Sequence, residues 1–198
     1  MKIAISQRQT IINDRTYDCL EHTWHKTFKG HDIYPIPNIV HLDLECDLLV
    51  LSGGENTQER FLTEINCYNY AMVTNVPILG VCHGAFLLNY VYDGLNKEVK
   101  GHQNTTHDIE MEGETFQVNS YHEAGIYTLG KTLDIVATDP DGNIEAFKHN
   151  TLEHWGIVWH PERMEEPLFP SDFRKFLDND YLSLIHISEP TRQAEISY

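Results

Sequence analysis

Two apolar runs that stop abruptly on glycine constrain the fold more than anything else in the chain. "CDLLVLSGG" (46–54) and "VPILGV" (76–81) are continuous rather than alternating. That is the pattern of strands buried on both faces, as in parallel sheets covered by helices. Each run leads into a stretch with helical spacing. Residues 57–74 place Phe61, Ile65, Tyr68 and Met72 at helical intervals, and "HGAFLLNYVYDG" (83–94) is closed by a glycine. A third run, "KIAIS" (2–6), is expected to precede a helix from about Asp14 to Phe28, with Tyr17, Leu20, Trp24 and Phe28 on one face. "DIYPIP" (32–37) reads as extended, with prolines suited to a sheet edge. In the second half, "FQVNSYH", "LDIVATD", "IEAFKH" and "WGIVWH" read as strands separated by turns such as "DPDGN". The expected fold is α/β: a three-layer, open, mostly parallel sheet with flanking helices and antiparallel strands in the C-terminal half.

At 198 residues the chain suits one well-buried domain, and no linker or repeat divides it. The domain is expected to span residues 1–181. The remaining stretch, "LSLIHISEPTRQAEISY" (182–198), breaks the pattern and resembles translated sequencing-adapter read-through, so it is set aside from functional reasoning. Fourteen basic residues against thirty acidic ones give a formal charge of −16. That field repels phosphate backbones and anionic bilayers, so neither a nucleic acid nor a membrane is an expected partner. No segment approaches the roughly 20 apolar residues of a membrane span, and the start has no secretory pattern. Cys19, Cys46, Cys67 and Cys82 lack metal or disulfide spacing and read as reduced thiols of a cytoplasmic protein.

Cys82 stands out among the four. It sits in "PILGVCHGAF" (77–86), between Gly80 and Gly84, at the end of a buried strand and the start of a helix. Such a sharp turn exposes the side chain, and the glycines admit close backbone approach. The helix turns its positive end toward the sulfur, which favours the thiolate. Taken alone, the cysteine reads equally as small buried packing. A thiol nucleophile needs a base and the base an orienting group. "GIVWHPE" (156–162) offers His160 and, two residues on, Glu162. Alternate residues of an extended chain share a face, so Glu162 can fix the imidazole tautomer. In "LSGGEN" (51–56), Gly53 and Gly54 can turn backbone N–H groups toward a developing oxyanion, together with the amides around Cys82 and His83. All three stretches fall at carboxyl ends of strands, where open α/β sheets place their sites. Arg8 lies at the same edge, either as a clamp for carboxylate or phosphate or as a solvated surface residue.

"SGG", "GVCHG" and "WHPE", in this order and spacing, resemble the class I glutamine amidotransferases, a flavodoxin-like fold, and within them the γ-glutamyl hydrolase (peptidase C26-like) branch. "VNSYHEAGI" (118–126) and "DGNIEAF" are similar to segments of γ-glutamyl-γ-aminobutyrate hydrolases, and the "ISQR" opening is similar to that of γ-glutamyl-CDP-amidate hydrolases. The likeness covers about residues 1–177. It implies Cys82 as nucleophile, His160 as base then acid, Glu162 as orienter, and Gly54 and His83 as oxyanion donors. It implies hydrolysis of a γ-glutamyl amide through a glutamyl thioester, releasing glutamate. Asn119, Ser120, Tyr121 and His122 match the segment lying over the glutamyl group. Many relatives carry glutamine after the elbow, where this chain has Gly84-Ala85-Phe86, so glutamine itself is a less suitable substrate. No cofactor is expected.

Three rival readings accompany this one. A metal hydrolase is suggested by twelve histidines, with His22, His25, His102, His107 and His154 as conceivable ligands. "HEAG" at 122 lacks the second zincin histidine, so no metal is expected and the histidines are assigned to solvated faces. A glutaminase subunit passing ammonia to a synthetase partner would keep the fold. A non-catalytic binding module would not need Cys, His and Glu together. A small-molecule γ-glutamyl substrate is the expected ligand, with a homodimer or a synthetase partner left open.

Overall fold

The computed structural model describes residues 1–39 and 44–178; residues 182–198 lie outside them. The chain runs β1 (Lys2–Ser6), β2 (Arg8–Ile12), β3 (Arg15–Cys19), α1 (Trp24–Thr27), β4 (Asp32–Ile36), β5 (Leu48–Leu51), α2 (Gln58–Thr74), β6 (Ile78–Val81) and α3 (His83–Val91). It continues through β7 (Leu95–Glu98), β8 (Thr105–Met111), β9 (Glu114–Ser120), β10 (Ala124–Thr128), β11 (Leu133–Thr138), β12 (Ile144–His149) and β13 (His154–Ile157). A 3-10 turn at Pro161–Arg163 and a helix α4 at 171–178 follow.

Among the described residues, nine strands form one sheet in the order β4-β1-β5-β6-β13-β12-β11-β8-β9. β4, β1, β5, β6 and β13 are mutually parallel. The antiparallel extension runs through β12, β11, β8 and β9. The expected parallel sheet with an antiparallel C-terminal extension is therefore present, except that β13, from "WGIVWH", joins the parallel part beside β6. β5 and β6 are buried at every position, as parallel strands covered on both faces should be. β4, with Pro35 in it, is the sheet edge. Register places Leu51 opposite Gly80 and Ile157 opposite Val81, so the carboxyl ends of β5, β6 and β13 finish at one level.

The helix expected from about Asp14 to Phe28 is instead a hairpin followed by a single helical turn. Asn13 and Asp14 have φ of 50° and 59°. A two-residue turn with both φ positive carries the twist that antiparallel strands need. Its flanks, Thr10, Ile11, Ile12, Thr16 and Tyr17, favour extended backbone and pair across β2 and β3. Only the Trp24–Phe28 portion of the helical spacing is used. These two rings are buried and stack at 5.6 Å. The stack continues through Phe169 to Phe173 of α4, which meets Trp155 of β13 edge-on.

α2 begins and ends where expected, with Thr57 accepting from the Arg60 N–H at its N-cap. Its buried face differs from the expected one. Arg60, Thr63, Glu64, Cys67 and Ala71 face inward, Phe61, Ile65 and Tyr68 flank them, and Met72 is exposed. An ion pair replaces the apolar contact at the head of the helix. No helix among the described residues is long and apolar enough to cross a membrane.

The strand-to-helix junction at Cys82 depends on close backbone approach. A Cβ on Gly80 would meet the Gly84 carbonyl oxygen at 2.6 Å, and one on Gly84 would overlap the Leu51 carbonyl. Neither obstacle is a flexible side chain. Gly84→Ala should therefore destabilise the protein by about 2–3 kcal/mol, read as a lower urea midpoint with an unchanged m-value.

Candidate active site

Cys82 has φ 49° and ψ −105°, a conformation that ordinary residues avoid, at the N-terminus of α3. Its backbone N–H donates to the Ile157 carbonyl at 2.8 Å, fastening the turn to β13. Its side chain and the His160 imidazole line the same cleft. The other deeply set thiols differ: burial pushes Cys46 up to about 11 and Cys67 up to about 12, which keeps both as inert thiols.

β13 ends at Ile157, and His160 and Glu162 sit in the turn beyond it. The expected fully extended path to Glu162 is replaced by the 3-10 turn. The pairing survives because His160 itself stays extended as the N-cap of that turn, with φ −106° and ψ 92°. His160 Nδ1 and Glu162 Oε1 are 2.6 Å apart. The carboxylate accepts, so Nδ1 carries a proton and Nε2 is left for the sulfur. Burial opposes charge on His160, but the bonds to Cys82 and Glu162 outweigh it and raise the imidazole to about 9. The ring packs on Gly53, where any Cβ would overlap it. Gly54 has φ 136°.

These groups open onto a cleft of about 440 Å³ that includes Arg8, Gly54, Cys82, His83, Phe86, Tyr121, His122, His160 and Arg163. Cys82, His160, Glu162, Gly53, Gly54, Arg8, Tyr121 and His122 are thus brought to one place. Several expected assignments change. The Cys82 amide is consumed by Ile157, so the first-turn N–H of His83 and the Gly54 N–H are the remaining oxyanion donors of the expected set. The His83 side chain is partly buried and lies 3.1 Å from Glu64 Oε2. Asn119 does not cover the ligand space: its side chain donates to the His160 carbonyl and accepts from the His160 N–H, both at 2.8 Å. Ser120 is fully buried and donates to the His102 carbonyl at 2.5 Å. His102, His122 and His154 are buried rather than solvated, whereas His22 and His25 are exposed. Burial lowers His122 to about 4 and raises the neighbouring Glu145 to about 8.

Four residues escaped sequence reasoning. Arg163, directly after "WHPE", lies over the Tyr121 ring at 4.7 Å and donates from Nε to Glu21 at 3.0 Å. Glu21 also holds Arg8 at 3.3 Å, so one carboxylate braces two cleft guanidinium groups. Burial raises Glu21, but these cations and His160 prevail and its net shift is downward. Beneath the turn after β5, Arg60 and Glu64 form a fully buried pair at 2.9 Å. Arg60 donates to the Ser52 and Gly53 carbonyls, and Glu64 accepts from Ser6 at 2.7 Å. Burial alone would raise Glu64; the His83 hydrogen bond and Arg60 reverse that and lower it. The i,i+4 spacing of Arg60 and Glu64 was visible in the sequence, but it is the same on a solvated helix face.

Residues 20–179 match the family described as glutamine amidotransferase class-I. The chain is 29% identical over 184 residues to a γ-glutamyl-CDP-amidate hydrolase of Campylobacter jejuni, covering 82% of this chain and 90% of that protein. It is 30% identical over 172 residues to a glutamine-hydrolysing GMP synthase subunit of Methanosarcina mazei, covering 77% and 85%. Among solved structures, a GMP synthase subunit described as putative, from Thermoplasma acidophilum, superimposes with a TM-score of 0.71 at 23% identity. That match covers 94% of this chain and 98% of the other.

Two measurements check the electrostatics. The raised His160 favours its protonated form in the folded state. Its contribution to stability is complete below pH 6.5 and is lost as the pH rises through about 9. The His160 imidazole resonances should titrate near 9, and Glu162→Gln should move that midpoint down. Glu64→Ala, which strands a buried guanidinium, should cost about 3–5 kcal/mol in urea unfolding.

Proposed function

Since the chain belongs to the class I glutamine amidotransferase family, we propose that it hydrolyses the C–N bond of a γ-glutamyl amide through a thioester on Cys82. The observation that carries this reading is the meeting of Cys82 and a Glu162-paired His160 at one wall of an open cleft. Sγ attacks the γ-carbonyl carbon with its proton carried by His160. The oxyanion that forms is held by the Gly54 and His83 amides. His160 then gives the proton to the leaving nitrogen, the C–N bond breaks and the amine departs. Water, deprotonated by His160, attacks the thioester; glutamate leaves and Sγ regains its proton. Glu162 keeps the imidazole in the required tautomer throughout, and residues 1–181 act as one catalytic domain.

The preferred substrate is a γ-glutamyl amide with a leaving group larger than ammonia, of the γ-glutamyl-aminobutyrate or γ-glutamyl-CDP-amidate kind. Two features support this. The Campylobacter relative bears the second activity in its name, and Phe86 lines the cleft at the position where many relatives offer an amide. Arg8 and Arg163 supply two guanidinium groups suited to a carboxylate or phosphate. A second reading, a glutaminase subunit delivering ammonia to a synthetase, is favoured by the Methanosarcina GMP synthase relative.

The two readings separate on the isolated chain. The first expects glutamate release from γ-glutamyl-aminobutyrate or γ-glutamyl-CDP-amidate without any partner, and negligible release from glutamine. Glutamine hydrolysis that starts only when a synthetase is added supports the second. Cys82→Ala should abolish turnover and the acyl-enzyme seen by mass spectrometry while leaving the fold intact; retained turnover ends the thiol mechanism. Glu162→Gln should lower kcat by on the order of 100-fold or more.

A further inference from the structure

Behind one wall of the cleft, three imidazoles and a carboxylate converge from separate stretches of chain. His102 precedes β8, His107 lies on β8, His122 follows β9 and Glu145 lies on β12. One donor atom from each lies within 4.8 Å of all the others. The group is withdrawn from solvent: His102 is 7% exposed, His122 5% and Glu145 1%, with His107 half-buried.

The outward nitrogen of each ring already faces an acceptor. His102 Nε2 is 3.3 Å from Asp139 Oδ2, His107 Nδ1 is 3.1 Å from the Asp108 carbonyl, and His122 Nδ1 is 2.7 Å from the Ala124 carbonyl. A carbonyl or carboxylate only accepts, so these nitrogens hold the protons. The inward nitrogens, His102 Nδ1, His107 Nε2 and His122 Nε2, then present lone pairs. None of the three has a hydrogen-bond partner, and neither has Glu145 Oε2. They face the Glu145 carboxyl at 3.6, 3.8 and 4.0 Å, respectively.

Four buried acceptors therefore point at one another with no donor among them, an arrangement that costs free energy unless something positive lies between. A proton on Glu145 would satisfy one lone pair and leave the others unmatched. A water brings two protons to four acceptors. A single cation satisfies all four. We propose that His102, His107, His122 and Glu145 form a divalent transition-metal site of the structural zinc type. Zinc–nitrogen bonds of about 2.0–2.1 Å set tetrahedral ligand atoms about 3.3 Å apart, so an ion draws the four atoms slightly inward. Three imidazoles and one carboxylate suit zinc, and the outer partners Asp139 and the two carbonyls fix ring orientation and tautomer as supports of metal-bound histidines do. Four protein ligands close the coordination sphere, so the ion ties chain together rather than activating water. It staples the segments carrying Gln103 and Tyr121, both lining the cleft, onto β8 and β12. This replaces the metal-free expectation drawn from histidine spacing.

Metal analysis of the full chain after dialysis should give one zinc per polypeptide. In the chelator-stripped chain, zinc at a hundredfold excess over its Kd should raise the Tm by about 5–10 °C, and cobalt(II) should give the visible absorption of a tetrahedral centre. His107→Ala, at the half-buried ligand, should lose all three signals, and Cys82→Ala should keep them. The proposal is overturned if zinc leaves the Tm of the stripped wild-type chain unchanged, or if His107→Ala retains stoichiometric metal. Loss of the metal in Cys82→Ala would equally overturn it, by assigning the ion to the thiol.

Discussion

The Arg60–Glu64 pair under the β5 turn is the interaction on which the cleft side of the sheet depends. Both side chains are completely withdrawn from water, and neither could be tolerated there alone. Their remaining hydrogen-bonding capacity is spent on the surrounding backbone. Arg60 reaches the Ser52 and Gly53 carbonyls, and Glu64 takes the Ser6 hydroxyl and faces His83. One pair thus ties the end of β1, the end of β5, the head of α2 and the residue after the nucleophile. Gly53, held by Arg60, is the surface on which the His160 ring rests. A buried charge pair is a costly stabiliser compared with apolar packing, but it has fixed geometry, and geometry is what this corner of the molecule uses.

The site is built in successive layers of constraint. Asn119 grips both backbone groups of His160, Glu162 sets its tautomer, and Gly53 sets its ring plane. The cations at the cleft mouth are treated similarly. In a chain of formal charge −16, Arg8 and Arg163 are kept in place by sharing Glu21, and Arg163 is further held over the Tyr121 ring. Two fixed cations thus stand in the cleft of a strongly acidic chain, beside Glu55 and Glu123 on its lining.

What the sequence revealed follows from how local each signal is. The parallel strands were legible because "DLLVL" and "PILGV" have no polar face, and the sharp turn at Cys82 because its two glycines must touch backbone. The hairpin at Arg8–Cys19 was misread because Tyr17, Leu20, Trp24 and Phe28 happen to fall at helical spacing, while the Asn13-Asp14 turn signal preceding them is only two residues long. The inward face of α2 was misassigned because a buried ion pair replaces the apolar stripe there. Asn119 looked like a ligand contact, yet its partner is the backbone of a residue 41 positions away. His102, His107, His122 and Glu145 share no spacing motif, since they meet only after β8, β9 and β12 are aligned.

The hydrogen bond from the Cys82 amide to the Ile157 carbonyl has a wider consequence. Cys82 directly follows β6, and His160 lies just beyond the end of β13, the parallel strand beside it, about 4.8 Å away by the ordinary repeat of a sheet. The separation of the two residues is therefore inherited in the first place from backbone ladder geometry. Two residues of the cleft wall are fastened to the same histidine: the Arg163 N–H donates to the His160 carbonyl, and Tyr121 lies two residues beyond the Asn119 that grips His160. A change in that wall is therefore transmitted to the His160 ring.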